Sequence, residues 1–540
     1  MYVGSIAFAG LLTLAGLVES KIVHTTSGAL QGGKCSTTDV NYFFSVPFAK
    51  PPLGELRFAS PVPYHNASCK VINATVPSPP CIQFTELFGE TDTQSENCLF
   101  LDVWTPVSAT PKSKLPVKVW LYGGSNEGGG VSDPTYNGCF SAVDSIVVSI
   151  NYRLGPLGFL ALSGLDLSGN YGTQDQLLGL RWVKENIARF GGDPEKVLLF
   201  GQSAGAIDGF ILATLPEAPQ LMRAAALESG SGRDLATVAD AQVWYSQFLT
   251  AMNCSTPDLS CLRTAKTPAL VAAAAAMPGP TVLTVNTALV NNGTRSTWTP
   301  LVDGKVIREQ PSASGLKVPA IIGSNTNEGS LFVLGTYLGA VLLELTESDY
   351  DAFLTYNFGP LASRVNETYS VASVFNGSVS AAMSTVLTDV SYKCAGYRAL
   401  LQAEKNGVPV WSYLFNHQPS CAWYSGIQAD WLPYLGVTHT AEIPFVFNFT
   451  SGMPPPDGNC TFSASEQALS HTMSRAWTNM AEFGAPDDQS TWPTWTSDKS
   501  MGVVFEDAMN AGVVDYTSCP FWGEINDELN EYWKTHSSRN

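Results

Sequence analysis

Short apolar runs alternate with helix-like stretches along the middle of this chain. Residues 117–122 and 146–152 are apolar and are followed closely by glycines, which predicts two buried strands. Residues 174–190 repeat large apolar side chains at helical spacing and stop at Gly191-Gly192, which predicts a helix. Strands that alternate with helices are typical of an α/β fold, in which helices flank a mostly parallel central sheet.

The same pattern continues on both sides of this region. Apolar runs predict further strands at residues 99–104, 197–200, 318–323, 410–416 and 503–506, and a helix over 206–215. The chain contains neither an internal repeat nor a linker of biased composition. We therefore expect residues 21–540 to form one large domain with long inserted loops and helices.

The N-terminal 20 residues have the pattern of a signal peptide. Residues 6–18 are apolar and uncharged, small residues precede the expected cleavage point, and the run is too short to span a bilayer. Eleven cysteines and eight N-x-[ST] sequons also fit an oxidising compartment. These signals together predict a secreted, disulfide-bonded glycoprotein without stable membrane insertion.

The charge balance narrows the range of partners. The formal net charge is −18 and the isoelectric point is near 4.7. Such a surface repels phosphate backbones and anionic lipids, so we expect no nucleic-acid binding. The acidity is typical of a soluble secreted protein.

The strongest candidate chemistry lies at Gly201-Gln202-Ser203-Ala204-Gly205. A buried strand runs straight into this turn and a small-residue helix follows it, which is the setting of a nucleophile elbow. With 47 glycines in the chain the pentapeptide alone has little weight, so the flanking strand and helix carry the prediction. Ser203 is the predicted nucleophile.

A serine nucleophile needs a base and an orienting acid. Of six histidines, His439 lies in a predicted loop and His417 ends a predicted strand, and position alone leaves both open. In α/β-hydrolases the acid lies between the serine and the histidine in sequence and follows a strand. Glu328 fits best, while Asp303 and Asp389 remain alternatives.

The developing oxyanion needs backbone N–H donors. Ala204 supplies one at the start of the predicted helix. The Gly123-Gly124-Ser125 turn follows a predicted strand directly and can supply more, because glycines allow a close approach of the backbone.

Several ordered motifs resemble the type-B carboxylesterase family, which includes cholinesterases and several secreted fungal lipases. The resemblance covers nearly the whole mature chain. Within the family, the chain is similar to the cholinesterase-like members that fungi secrete. Its motifs here are 51–58 (PPLGELRF), 95–101 (SENCLFL), 151–159 (NYRLGPLGF), 169–172 (GNYG), 190–194 (FGGDP), 201–206 (GQSAGA), 327–329 (NEG) and His439 with 442–445 (EIPF).

The resemblance implies an α/β-hydrolase fold and a serine carboxylesterase. It implies Ser203, Glu328 and His439 as the catalytic triad. It implies Gly124, Ser125 and Ala204 as oxyanion-hole donors, with Ser229 beside the triad. It also implies the disulfides Cys81–Cys98 and Cys254–Cys261 and the ion pairs Arg57–Glu96 and Arg153–Asp175. For the remaining cysteines we expect Cys35 to pair with Cys69.

Three positions depart from the family pattern. Ser125 replaces a glycine, Asn126 replaces an aromatic residue, and Gln202 replaces the glutamate that usually precedes the nucleophile. The last change removes a negative charge from beside the serine.

We therefore expect a secreted hydrolase that acts through an acyl-enzyme on small or soluble esters, without a metal or cofactor. One alternative is a lipase for long-chain glycerides or sterol esters. We disfavour it because the first disulfide loop is short and acidic, with Glu86, Glu90, Asp92 and Glu96. A second alternative is a non-catalytic binding or adhesion protein of the same family.

Overall fold

A computed structural model of the protein describes residues 21–68, 70–85, 93–254, 258–277, 298–337, 345–427, 429–487 and 491–536. The predicted signal peptide over residues 1–20 lies outside the described residues. The same is true of Cys69 and of Glu86, Glu90 and Asp92 in the first disulfide loop.

The strands of the described residues belong to one large sheet and three small ones. In chain order they are β1 Ile22–Thr25, β2 Gly28–Gln31, β3 Gly33–Lys34, β4 Val40–Pro47, β5 Val71–Asn73, β6 Phe100–Pro106, β7 Leu115–Leu121, β8 Ile146–Ile150, β9 Ala161–Leu162, β10 Leu167–Ser168, β11 Gly192–Gln202, β12 Ala224–Glu228, β13 Ala320–Asn325, β14 Val410–Phe415, β15 Ser451–Met453, β16 Cys460–Thr461, β17 Met501–Phe505 and β18 Met509–Val513.

The large sheet has the order β18-β17-β14-β13-β12-β11-β7-β8-β6-β4-β3. The strands from β8 to β17 in this order are parallel to one another, and the strands at both edges are antiparallel. This confirms the predicted α/β class with a mostly parallel sheet. The central strand β11 is buried from Val197 to Gln202, as expected for a strand covered on both faces.

Helices cover the sheet and fill the long connections. The α-helices are α1 Gly155–Phe159, α2 Tyr171–Asn186, α3 Ala204–Thr214, α4 Ala218–Leu221, α5 Val238–Ala251, α6 Leu259–Thr264, α7 Thr267–Ala275, α8 Pro311–Ser314, α9 Gly329–Tyr337, α10 Glu347–Phe358, α11 Ala362–Thr368, α12 Val379–Leu387, α13 Cys394–Lys405, α14 Leu432–Leu435, α15 Ile443–Val446, α16 Ala464–Phe483 and α17 Cys519–His536.

Local sequence sets the ends of several of these helices. The helix predicted over 174–190 begins earlier, at Tyr171, and its last turn is a 3₁₀ helix that ends at Gly191. The long helix α16 begins with a capping box, in which Ser463 and Glu466 satisfy each other's backbone amides. Between α12 and α13 the chain forms a π-helix over Thr388–Lys393.

The disulfides agree with the sequence in two cases and correct it in one. Cys81 is bonded to Cys98 and Cys254 to Cys261, which are the pairs that the resemblance implies. The expected Cys35–Cys69 pair is wrong, because Cys35 is bonded to Cys139 with their Cα atoms 6.0 Å apart. The hairpin that carries Cys35 lies at the edge of the large sheet, and Thr38 in its turn donates to the Cys139 carbonyl. Two further disulfides are Cys394–Cys519 and Cys421–Cys460.

Both ion pairs implied by the resemblance are present. Arg153 Nε and Nη2 each donate to one oxygen of Asp175 at 2.8 Å, and Arg57 binds Glu96 with the same two-bonded geometry. Within the described ranges, no helix is both long enough and apolar enough to cross a membrane.

Candidate active site

Ser203 lies in the sharp turn between β11 and α3. Its backbone has φ 56° and ψ −124°, a conformation that non-glycine residues rarely adopt. The Ser203 amide donates to the Glu228 carbonyl at 2.9 Å, and the Ser203 carbonyl accepts from Ala206 and Ile207. These bonds fix the turn that links the central strand to the helix, which is the geometry of a nucleophile elbow.

The elbow is closely packed against the end of β7. A Cβ atom on Gly205 would overlap the carbonyl oxygen of Leu121, and one on Gly123 would lie 3.0 Å from the Ser203 Cβ. Glycine at these two positions therefore lets β7, the turn and α3 approach one another. The Ser203 side chain stays half-buried, so its hydroxyl is open to a cavity.

A buried imidazole–carboxylate pair lies on two loops near the elbow. His439 Nδ1 is 2.6 Å from Glu328 Oε2, and the two side chains are at most 1 % exposed. Glu328 follows β13, and its other oxygen accepts from Ser229 Oγ at 2.5 Å and from the Asn325 amide at 2.7 Å. Because both carboxylate oxygens are engaged, the imidazole is held in one orientation.

Ser203 and His439 line one cavity. Its other lining residues are Gly123, Gly124, Gly129, Asp133, Thr135, Tyr136, Gln202, Trp423, Tyr424, Thr440 and Ile443. Among the described residues no hydrogen bond links Ser203 to His439. Gln202 Nε2 lies 3.3 Å from His439 Nε2 and 3.4 Å from Nδ1.

The backbone amides predicted as oxyanion donors are unengaged. In the part of the chain that the structure describes, the amides of Gly124, Ser125 and Ala204 donate to no protein acceptor. Gly124 has φ 103° and Ser125 has φ 59°, and the Gly124 carbonyl accepts from Glu127 and Gly128. Ala204 is the first residue of α3, where amides lack an intrahelical partner. All three donors are free to bind an anion.

The amino-acid sequence matches a known protein family over most of its length. A model described as the carboxylesterase family matches residues 19–522. The chain belongs to the carboxylesterase family.

Several curated proteins are similar to this carboxylesterase. A para-nitrobenzyl esterase of Bacillus subtilis is 33 % identical over 494 residues, which is 88 % of this chain and 92 % of that protein. A cholinesterase of Mus musculus is 30 % identical and covers 96 % and 90 % of the two chains. A cocaine esterase of Homo sapiens is 31 % identical over 87 % and 85 %. The protein is therefore an α/β-hydrolase and a carboxylic-ester hydrolase.

Buried carboxyl groups surround the triad candidates of this carboxylesterase. Glu442, fully buried, accepts from Asn325 Nδ2 at 2.5 Å; burial and then the nearby Glu328 charge raise its pKa to about 8. Glu228 lies in register with Gln202 on the neighbouring strand and accepts from Trp477 Nε1. Burial, followed by the Glu442 charge, raises the pKa of Glu228 well above its ordinary value.

Two aromatic rings pack on the imidazole of the carboxylesterase. The ring of Tyr392, from the π-helix, lies 4.8 Å from that of His439, and Phe332 of α9 lies 5.0 Å away. The Arg233 guanidinium also lies over the Tyr392 ring, 5.2 Å from its centroid. Short π-helices frequently mark functional sites, and this one places the Tyr392 ring against the His439 imidazole.

The alternative residues lie in other surroundings. His417 sits between Glu466 and Asp507, at 3.3 and 3.5 Å. Asp389 pairs with Lys393 and accepts from Tyr369, and Asp303 caps the turn to Ile307. None of these residues lines the cavity that contains Ser203.

Sequence reasoning missed three residues near the site: Glu442, Tyr392 and Asp208. Asp208 was detectable, because it is a lone carboxylate in the apolar run that forms α3. Glu442 lies three residues after His439, but one sequence does not reveal which way its side chain points. The position of Tyr392 depends on a π-helix that no pattern predicted. Among the described residues, no group of three or more His, Cys, Asp or Glu side chains could hold a metal ion.

Proposed function

We propose that this carboxylesterase hydrolyses small or soluble esters through an acyl-enzyme on Ser203. His439 is the general base and Glu328 orients it. The observation that carries the proposal is the buried 2.6 Å contact between Glu328 and His439, whose imidazole lines the same cavity as Ser203.

The reaction follows from the roles of these groups. Ser203 Oγ attacks the ester carbonyl carbon while His439 Nε2 takes the hydroxyl proton. The carbonyl oxygen becomes an oxyanion, which the amides of Gly124, Ser125 and Ala204 stabilise. The C–O bond to the alcohol then breaks, and the alcohol leaves with the proton from His439. A water molecule attacks the acyl-enzyme by the same steps and releases the carboxylic acid.

The first disulfide loop supports a preference for small or soluble esters, because its sequence between Cys81 and Cys98 is short and acidic and offers little apolar surface to a lipid. Five disulfides among the described residues support secretion. The proposal includes removal of residues 1–20 and one domain over residues 21–540.

Replacing the nucleophile tests the proposal directly. We expect Ser203→Ala to lower kcat for p-nitrophenyl butyrate by at least about 10³-fold, because no acyl-enzyme can form. The secreted variant should keep the thermal unfolding temperature of the wild type to within a few degrees. A fluorophosphonate probe should label the wild type and not the variant. Turnover that survives in Ser203→Ala would overturn the proposal.

A matched pair of histidine variants tests the choice of base. We expect His439→Gln to lower kcat by at least about 10³-fold, while His417→Gln lowers it less than about threefold. Substrate size is tested with the wild type on p-nitrophenyl esters of increasing chain length and on emulsified triglycerides. Faster turnover of the emulsified triglycerides would contradict the preference for small esters and would indicate a lipase.

A further inference from the structure

The loop that follows β7 has a demanding backbone conformation. Gly124, Ser125 and Asn126 have consecutive positive φ values of 103°, 59° and 59°. Glycine adopts such angles freely, but serine does so only where the surroundings enforce them. Ser125 is itself exposed, so packing of its own side chain does not supply the restraint.

One restraint is the turn in which the Gly124 carbonyl accepts from the Glu127 and Gly128 amides, and a second lies at Asn126. This residue is 2 % exposed, and its carbonyl oxygen accepts from the Gly155 amide at 2.7 Å. Its Nδ2 donates to Asp208 Oδ1 at 3.2 Å. Asn126 is thus held at its backbone and at its side chain, directly after the two amides that we propose as oxyanion donors.

Asp208 connects this loop to two helices. It is fully buried in α3, five positions after Ser203, and its Oδ2 accepts from Gln176 Nε2 of α2 at 2.6 Å. Burial raises the pKa of Asp208 to about 7, while the bonds from Gln176 and Asn126 act in the opposite direction. One carboxylate therefore ties the loop to the helix that carries the nucleophile.

The side-chain amide oxygens of Asn126 and Gln176 indicate what orients these two side chains. Asn126 Oδ1 and Gln176 Oε1 are buried, and in the described part of the protein neither has a hydrogen-bond partner. Each amide turns its NH₂ toward Asp208, and each of the two carboxyl oxygens of Asp208 accepts from one of them. Without the carboxylate, neither amide would have a reason to keep its orientation.

We propose that Asp208 is a positioning residue for catalysis: through Asn126 it holds the amides of Gly124 and Ser125 where the oxyanion forms. The inference rests on the proposed acyl-transfer function. Asp208 touches neither substrate nor the reacting atoms. It acts by fixing the distance between the loop donors and the Ser203 elbow.

The first test separates positioning from binding. We expect Asp208→Ala to lower kcat by about 10- to 100-fold and to change KM by less than about threefold, because the donors act mainly in the transition state. Asp208→Asn should recover most of kcat. Its oxygen can accept from one amide, and its NH₂ can donate to the free oxygen of the other after that amide flips.

A second test asks whether Asn126 carries the effect. Asn126→Gly keeps the positive φ and removes only the side chain, so it should reproduce the loss in kcat. Adding Asp208→Ala to this variant should cause little further loss, because both changes break the same link. A trifluoromethyl ketone forms a tetrahedral adduct with Ser203, and its Ki should rise in proportion to the fall in kcat.

Asp102 provides the control. It is a buried carboxylate too, but it accepts from the Ser45 amide and does not line the cavity. Asp102→Ala should lower stability and leave the kcat of folded enzyme within about twofold. The inference would be overturned if the wild type is active, Asn126→Gly keeps its kcat and ketone Ki, and Asp208→Ala lowers kcat no more than Asp102→Ala does. Failure of the proposed function looks different, because the wild type would then be as inactive as Ser203→Ala.

Discussion

At the scale of single residues, Gln202 is the departure with the most direct chemical consequence. It is 2 % exposed, and its amide nitrogen lies within 3.4 Å of both imidazole nitrogens of His439. The family usually has a carboxylate at this position. Two buried carboxyl groups lie beside Gln202 in this chain: Glu228, in register on the adjacent strand, and Glu442, to which Gln202 is hydrogen-bonded. Burial disfavours the charged form of both. The proposed base therefore has a neutral amide as its direct neighbour.

Restoring the acid should change the pH profile. In Gln202→Glu a carboxylate beside the imidazole would stabilise the protonated ring. We expect the acidic limb of the kcat/KM profile to move to higher pH by about one unit, measured with p-nitrophenyl acetate between about pH 4 and pH 9.

Gln467→Glu is the matched control, since Gln467 is exposed on α16 and should leave the profile unchanged. A limb that stays in place or moves to lower pH in Gln202→Glu would contradict the prediction.

At the scale of elements, the site depends on how closely the end of β7 passes the start of α3. Gly205 makes this approach possible, because a side chain there would overlap the Leu121 carbonyl. The crossing sets where the free amides of the loop lie relative to Ser203. Backbone spacing between two elements, and not side-chain choice alone, therefore determines the geometry of the site.

Two glycines of α3 allow a matched test of this spacing. We expect Gly205→Ala to lower the free energy of unfolding by about 2 kcal/mol or more and to reduce kcat, because backbone atoms must move. Gly209→Ala should be neutral or stabilising, since its Cβ would lie 3.3 Å from the flexible Leu227 side chain and alanine favours a helix. Urea unfolding and kcat are the measurements; equal effects in the two variants would refute the argument.

The elements show which parts of the structure are predictable from one sequence. Continuous apolar runs identified β7, β8, β11 and β13, because parallel strands buried on both faces leave a local signal. The predicted partner of Cys35, Cys69, is wrong, since the bond to Cys139 joins residues 104 positions apart that only the tertiary fold brings together. The link from Asn126 to Asp208 is hidden for the same reason, since it crosses 82 positions.

At the scale of the whole molecule, the buried carboxyl groups determine how stability depends on pH. Burial raises the pKa of Asp102 and Glu442 to about 8 and that of Asp208 to about 7. In the unfolded chain these groups titrate near about pH 4. Between about pH 4 and pH 8 the folded state therefore binds more protons than the unfolded state. Stability falls as the pH rises through this window.

Two other buried groups have the opposite effect on stability at the upper and lower ends of this pH range. Burial lowers the pKa of Lys118 to about 8, so above that pH the unfolded chain binds more protons at this lysine, and the destabilisation that its burial causes becomes smaller as the pH rises. Burial raises the pKa of Glu466, but hydrogen bonds from Ser420 and Ser463 outweigh it and lower the value to about 2. The contribution of Glu466 is lost as the pH falls below about 4.

We expect the protein to unfold at a higher temperature at about pH 5 than at about pH 8, by at least about 3 °C. Thermal scans at one fixed heating rate measure the difference. Asp102→Asn keeps the acceptor for the Ser45 amide and removes the ionisable group, so the difference should shrink in this variant. A wild type that is more stable at about pH 8 would contradict the assignment.

The disulfide between Cys394 and Cys519 links the last described helix to a segment beside the active site. Cys394 begins α13, two residues after Tyr392, and Cys519 begins α17. The tail is thus anchored to the segment whose aromatic ring supports the imidazole from behind. A protease that removed residues from 519 onward would cut nothing near the nucleophile, yet it would leave that ring without its brace. Truncation of the C-terminal helix would then lower the rate of turnover.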